Sequence, residues 1–290
     1  MSAMTEPAGR NTIPLVHNGL DRPYLLQSPP TTDADRMPLV LEIHGRGIGA
    51  AQFDRLTDFG SLADEARFAL ALPNAVGEVW NDGRNPSWEA GGGPDDVGYL
   101  AAVLDDVAAR LPIDARRIYV VGMSNGATMA GRLACELAER IAAIAQVAGT
   151  AGVGIAAGYR PSRPVPILNI HGTADPFAPY EGGVRRSLRG RVLLRRSYAG
   201  SVGVDAWAQF WVAANDALDG PVISALPPDT TIRTWHGLSP ASDVSFYRVD
   251  GGGHTWPGSH LTLPAFLFGR SSRTFDATRL IWEFFAMHAR

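Results

Sequence analysis

The segment Gly122-Met123-Ser124-Asn125-Gly126 places a serine between two glycines, after a β-branched run and before a stretch of small residues. That pattern suits a tight strand-to-helix turn, in which a Cβ on either flank would strike neighbouring backbone. Ser124 would be strained, with its Oγ exposed at a helix N-terminus. A serine hydroxyl is too weak an acid to attack a carbonyl unaided, so it needs a base and a carboxylate that orients the base. Asp175 follows the apolar run Val165–Ile170 within His171-Gly172-Thr173-Ala174-Asp175. His254 follows Val244–Val249 and the glycines at 251, 252 and 253. Ser124, Asp175 and His254 are therefore the expected catalytic residues, in the chain order Ser, Asp, His. The backbone N–H groups of Asn125 and Arg46 are the expected oxyanion donors, Arg46 because it lies between glycines after the run Leu39–Ile43.

Short apolar runs at 39–43, 69–72, 118–121, 142–147 and 165–170 read as buried strands. Helical patterns fall at 61–68, 95–107 and 126–140, with Asp95 and Asp96 as capping residues of the second. Helix, strand, strand and helix follow near 201–214, 230–235, 244–249 and 276–288. Strands alternating with helices predict an α/β fold with a mainly parallel sheet flanked by helices. Residues 1–20 are expected to be a loose N-terminal segment and residues 21–290 a single catalytic domain; a chain this long buries roughly 75% of its unfolded surface. Residues 74–94 hold seven glycines or prolines and read as a long functional loop.

Composition removes other mechanisms. All 26 positive charges are arginine, so Schiff-base and phosphate-loop lysine chemistry is excluded. Against 29 acidic residues the net charge is −3, which argues against a nucleic-acid partner. The one cysteine, Cys135, rules out an internal disulfide, and no histidine spacing suggests a metal site. No apolar run approaches membrane-spanning length. As given the chain reads as cytoplasmic, or as secreted or periplasmic if a leader was removed; monomer and homodimer both stay open.

The blocks His44-Gly45, Trp80-Asn81, Asp95–Gly98, Gly122–Gly126, His171–Asp175, Gly251–Gly258 and Phe275–Phe285 occur in order. Together they resemble the polyhydroxybutyrate depolymerase and feruloyl esterase group of α/β-hydrolases, over residues 20–288. That resemblance implies an α/β-hydrolase fold and an esterase working through an acyl-enzyme intermediate without a cofactor. It implies hydrolysis of polyester or hydroxyalkanoate oligomers, or of feruloyl or acetyl esters. The group also includes poly(aspartic acid) hydrolases. The chain departs from it at Ala127, which stands where a glycine is common, and at Arg46 and Asn215-Asp216, where secreted relatives carry cysteines.

Trp80, Trp88 and Trp256, with Asn81, are the expected substrate-binding residues, since flat apolar rings suit a sugar, an aromatic acyl group or a polymer. Arg185 and Arg186 open a cluster of six arginines within residues 185–196, with no acidic residue between Glu181 and Asp205. Bordering the site, that cluster would attract a polyanionic polymer, and a serine amidase acting on poly(aspartic acid) is the alternative reading. An inactive hydrolase-like binding protein is the third.

Overall fold

The computed structural model describes residues 9–30, 36–85, 87–153, 158–183 and 200–290. Its strands are β1 (Gly9–Ile13), β2 (Val16–His17), β3 (Leu20–Asp21), β4 (Tyr24–Ser28), β5 (Met37–Ile43), β6 (Ala69–Pro73), β7 (Ile113–Met123), β8 (Ala143–Val147), β9 (Ile167–Gly172), β10 (Asp219–Leu226), β11 (Thr230–His236) and β12 (Val244–Val249). Its helices are α1 (Ala50–Thr57), α2 (Phe59–Ala66), α3 (Asp96–Arg110), α4 (Asn125–Glu136), α5 (Val204–Ala214), α6 (Ala265–Phe268) and α7 (Ala277–Ala286). Ten strands form one sheet in the order β1-β4-β6-β5-β7-β8-β9-β12-β11-β10. Neighbours from β6 through β12 pair in parallel, and the outer pairs at both edges are antiparallel. This is the expected α/β-hydrolase architecture.

Strand periodicity sorts the core into two layers. On β7, Ile118 and Val120 face one side; Tyr119, Val121 and Met123 face the other. The first side packs Tyr99 and Leu100 of α3, Met129 and Leu133 of α4, and Trp207 and Trp211 of α5. The second packs Phe53 of α1, Phe59 of α2, and Ile281 and Phe285 of α7. Each such fully buried apolar side chain contributes roughly 1.5–3 kcal/mol, and burial on both faces explains why the central strands read as unbroken apolar runs.

Several elements differ from expectation. Within the segment 1–20 expected to be loose, Gly9–Ile13 is an edge strand paired with β4, and residues 1–8 lie outside the described residues. Strand β10 escaped notice because it lies at the opposite edge, largely exposed, and contains Gly220 and Pro221. Helix α1, which the sequence reading did not expect, is only eight residues long, Ala50–Thr57, and its N-cap Gly49 offers no side-chain cap. Asp95 does cap α3, accepting the Gly98 N–H at 2.9 Å. Among the described residues no helix is long and apolar enough to cross a membrane.

Candidate active site

Register brings the carboxyl ends of the central strands level. Ile43 pairs with Gly122, Met123 with Val147, Val147 with Ile170, and Gly172 with Val249. His44, Ser124, Asp175 and His254 therefore all leave the sheet at one edge, where open α/β sheets place their ligands. Ser124 adopts φ 58° and ψ −118°, a conformation costly for a side-chain-bearing residue. Its N–H donates to Val147 O at 2.9 Å, and α4 begins at the next residue. Steric necessity explains the flanking glycines. A Cβ on Gly122 would run into the Gly126 backbone, and one on Gly126 into the carbonyls of Ile43 and His44.

The structure brings Asp175 and His254 together. The imidazole Nδ1–H donates to Asp175 Oδ2 at 2.7 Å, and both residues are buried. The other carboxylate oxygen accepts the Phe177 and Ala178 N–H groups at 2.7 and 2.8 Å. Burial pushes the Asp175 carboxyl up, but the charge and hydrogen bond of His254, with smaller contributions from His171 and Ala178, outweigh it and hold it below its usual value. His171 lies 3.6 Å from Oδ2, the oxygen bonded to His254, and donates from Nε2 to Ala178 O at 2.8 Å, so it braces the Asp175 loop. Burial lowers its pKa.

On the other side of the serine, the turn after β5 passes close by: a Cβ on Gly45 would come 3.7 Å from Ser124 Cβ. His44 uses both ring nitrogens to shape that turn. Nδ1–H donates to Gly45 O at 2.7 Å, and Nε2 accepts the Ala75 N–H at 3.0 Å. Burial lowers its pKa and keeps it neutral, as an accepting nitrogen requires. Arg46 follows, half-buried. Asn125 opens α4 with a first-turn N–H that has no intrahelical acceptor.

The Asn125 side chain does something the sequence reading missed. Oδ1 accepts the Trp80 N–H at 2.8 Å, while Nδ2 donates to Trp80 O at 3.1 Å and to Asp82 Oδ2 at 2.5 Å. Asp82 also holds Arg84 through Nε at 2.9 Å. The long loop is thus tied to the elbow. Asn81 fixes the same loop to α3 and α4: its N–H donates to Asp96 Oδ2 at 2.6 Å, and its carbonyl accepts from Arg132. Asp96 in turn pairs with buried Arg22 at 2.6 Å. Only a sequence signal for partners 15 to 74 residues apart would have exposed this lattice.

Two of the tryptophans are not where a binding rim needs them. Trp80 is 1% exposed, and its Nε1 donates to His44 O at 2.9 Å. Trp256 is equally buried, edge-on to Phe53 and Phe59, with Nε1 donating to Thr278 Oγ1 at 2.9 Å. Each indole has its polar handle satisfied inside the core, which is how a tryptophan tolerates full burial. Asn81 is likewise a buried brace. Trp88 is half-buried in a helical turn, Trp88–Gly92, within the long loop. Arg185 and Arg186 lie outside the described residues.

Residues 22–182 match the family model described as esterase PHB depolymerase. The chain belongs to that family. It is a carboxylic ester hydrolase by that membership, and the esterase also resembles NocK of Nocardia uniformis subsp. tsuyamanensis, named as an esterase. The two are 31% identical over 88% of this chain and 76% of the other. Feruloyl esterase B of Piromyces equi is 26% identical over 75% of this chain, which spans only 39% of that longer protein. Among solved structures, the acetyl xylan esterase from Aspergillus awamori superposes with a TM-score of 0.60, covering 86% of this chain and 94% of the other. At 13% identity that likeness concerns the fold alone.

Proposed function

We propose that the esterase works through Ser124 as nucleophile, His254 as general base and acid, and Asp175 as the carboxylate that orients the imidazole. The observation that carries this reading is the buried 2.7 Å Asp175–His254 bond on the sheet edge where a serine is held at φ 58°. With Nδ1–H committed to Asp175, Nε2 is the nitrogen left to take the Ser124 proton. Oγ then bonds to the ester carbonyl carbon, and the carbonyl π pair moves onto oxygen. The N–H groups of Asn125 and Arg46 receive that oxyanion, aided by the positive end of α4. Collapse breaks the bond to the alcohol oxygen, which takes the proton from Nε2. Water, deprotonated by the same nitrogen, adds to the acyl-enzyme carbonyl; collapse breaks the bond to Ser124 Oγ, which takes the proton back from Nε2, and the acid leaves.

Family membership and the feruloyl esterase relative support an ester substrate with a hydroxyalkanoate or feruloyl acyl group. The test joins labelling to turnover. Ser124 should be tagged by a fluorophosphonate, and Ser124→Ala should lose both the tag and at least about 10³-fold in kcat on p-nitrophenyl butyrate. Retained turnover would sink the assignment. A panel of feruloyl, acetyl and hydroxybutyrate oligomer esters, with polyaspartate as the amide arm, then ranks the substrates.

A further inference from the structure

With Trp80 and Trp256 buried, the aromatic surface beside the imidazole comes from two residues the sequence did not single out. Phe177 lies 5.2 Å, centroid to centroid, from the His254 ring, and Phe268 lies 5.5 Å from Phe177. Both phenylalanines are half-buried, while His254 beneath them is buried. Backbone bonds index each ring to the Asp–His pair. The Phe177 N–H donates to Asp175 Oδ1 at 2.7 Å, and Phe268 O accepts the His254 N–H at 2.7 Å. The Gly253 N–H adds a bond to Arg270 O at 2.8 Å. The two rings therefore keep their position relative to the nitrogen that handles the proton.

Chemistry says which half of an ester meets this surface. The carbonyl oxygen must point at the Asn125 and Arg46 N–H groups. The departing alcohol oxygen must lie within hydrogen-bond reach of the imidazole that protonates it. Groups packed against His254 thus border the alcohol moiety. We infer that Phe177 and Phe268 form the leaving-group subsite and select esters of bulky apolar or aromatic alcohols. The inference rests on the proposed Ser124–His254–Asp175 mechanism. Two apolar rings at this spacing offer offset contacts to a third ring.

The experiment holds the acyl group constant. Ethyl acetate and 2-phenylethyl acetate share an acyl-enzyme and differ only in the alcohol; ethyl butyrate against ethyl acetate reports the acyl side. The wild-type enzyme should favour 2-phenylethyl over ethyl acetate in kcat/KM. Phe177→Ala and Phe268→Ala should each shrink that ratio by up to roughly tenfold, the worth of one aromatic contact, while the butyrate-to-acetate ratio stays at its wild-type value. Phe177→Leu, which keeps most of the apolar area, should keep most of the preference and guards against a misfolded alanine variant. An unchanged alcohol ratio in variants that fluorophosphonate still labels would overturn the subsite, as would a shift in the acyl ratio instead. Failure of the wild type to label would instead overturn the serine mechanism, and the subsite with it.

Discussion

Asn125 closes its side-chain amide on the backbone N–H and C=O of Trp80, at 2.8 and 3.1 Å, although 45 residues separate the two. A primary amide matches a backbone N–H and C=O because it carries one acceptor and two donors in a plane. Its second donor goes to Asp82. The residue that begins α4, and whose N–H is the proposed oxyanion donor, therefore also anchors the long loop.

Removing that amide should cost stability and catalysis together. Asn125→Ala leaves the buried Trp80 N–H without its acceptor, a loss of about 1–3 kcal/mol, visible as a lower Tm, with kcat falling more than KM rises. Asn125→Asp should be worse than alanine above pH 5, because it turns a donor toward the Asp82 carboxylate into a second negative charge. If the aspartate variant melted above the alanine variant at pH 7, the described network would not be the one that holds the loop.

Asp175→Asn should be far more damaging than its small size change suggests. The Phe177 and Ala178 N–H groups require an oxygen at their side of the group, so the amide must present its NH₂ to His254. Two donors then face each other, or the imidazole flips to the wrong tautomer. Loss of about 10⁴ in kcat is the expected size of that effect. Stopped-flow turnover of p-nitrophenyl acetate measures it, and a variant within tenfold of wild type would take the orienting role from Asp175.

The elbow, the carboxylate and the imidazole were legible because each rests on local rules. The glycines at 122 and 126 answer to backbone packing that any such turn shares, and Asp175 and His254 each follow an apolar strand. The tryptophans were not legible, since the same residue in a loop either rims a pocket or plugs the core. What decided it was whether Nε1 found a partner inside, His44 O for Trp80 and Thr278 for Trp256. The backbone role proposed for Asn125 follows from its place after the serine, but its side-chain role depends on a loop folded over from afar. Edge strands β1 and β10 were hidden for a different reason: they bury too little to show an apolar pattern.

Trp256 offers a direct check on that correction. As a core residue it should respond to Trp256→Phe with a fall in stability of about 1–3 kcal/mol, from lost area and the lost hydrogen bond to Thr278 Oγ1, whose own O–H still donates to Thr57 O. Its kcat/KM ratio between aromatic and small esters should not move. Calorimetry and the ester panel measure the two quantities separately. A change in substrate preference at unaltered Tm would return Trp256 to the binding site.

Glu42 makes stability depend on pH with a predictable sign. It lies buried in β5, Oε1 accepts from Thr57 Oγ1 at 2.5 Å, and Oε2 has no hydrogen-bond partner among the described residues. Burial first, then the nearby Asp54 charge, pushes its pKa well above 4.5, against the opposing Thr57 bond and Arg10 charge. The folded protein thus keeps a proton that the unfolded chain gives up near 4.5, and stability falls as pH rises beyond that point. His44, His171 and His288 act in the opposite sense. Burial lowers all three from 6.5, so the unfolded chain takes up protons that the fold refuses, and stability falls as pH drops below 6.5. Glu42→Gln removes only the first contribution. Its Tm should lie above wild type at pH 8, and that gap should narrow as pH approaches 4.5, where wild-type Glu42 is protonated in both states to a growing extent. Melting curves of both proteins across pH 4.5–8.5 give the difference directly, and a gap that did not vary with pH would mean that Glu42 is ionised in the fold.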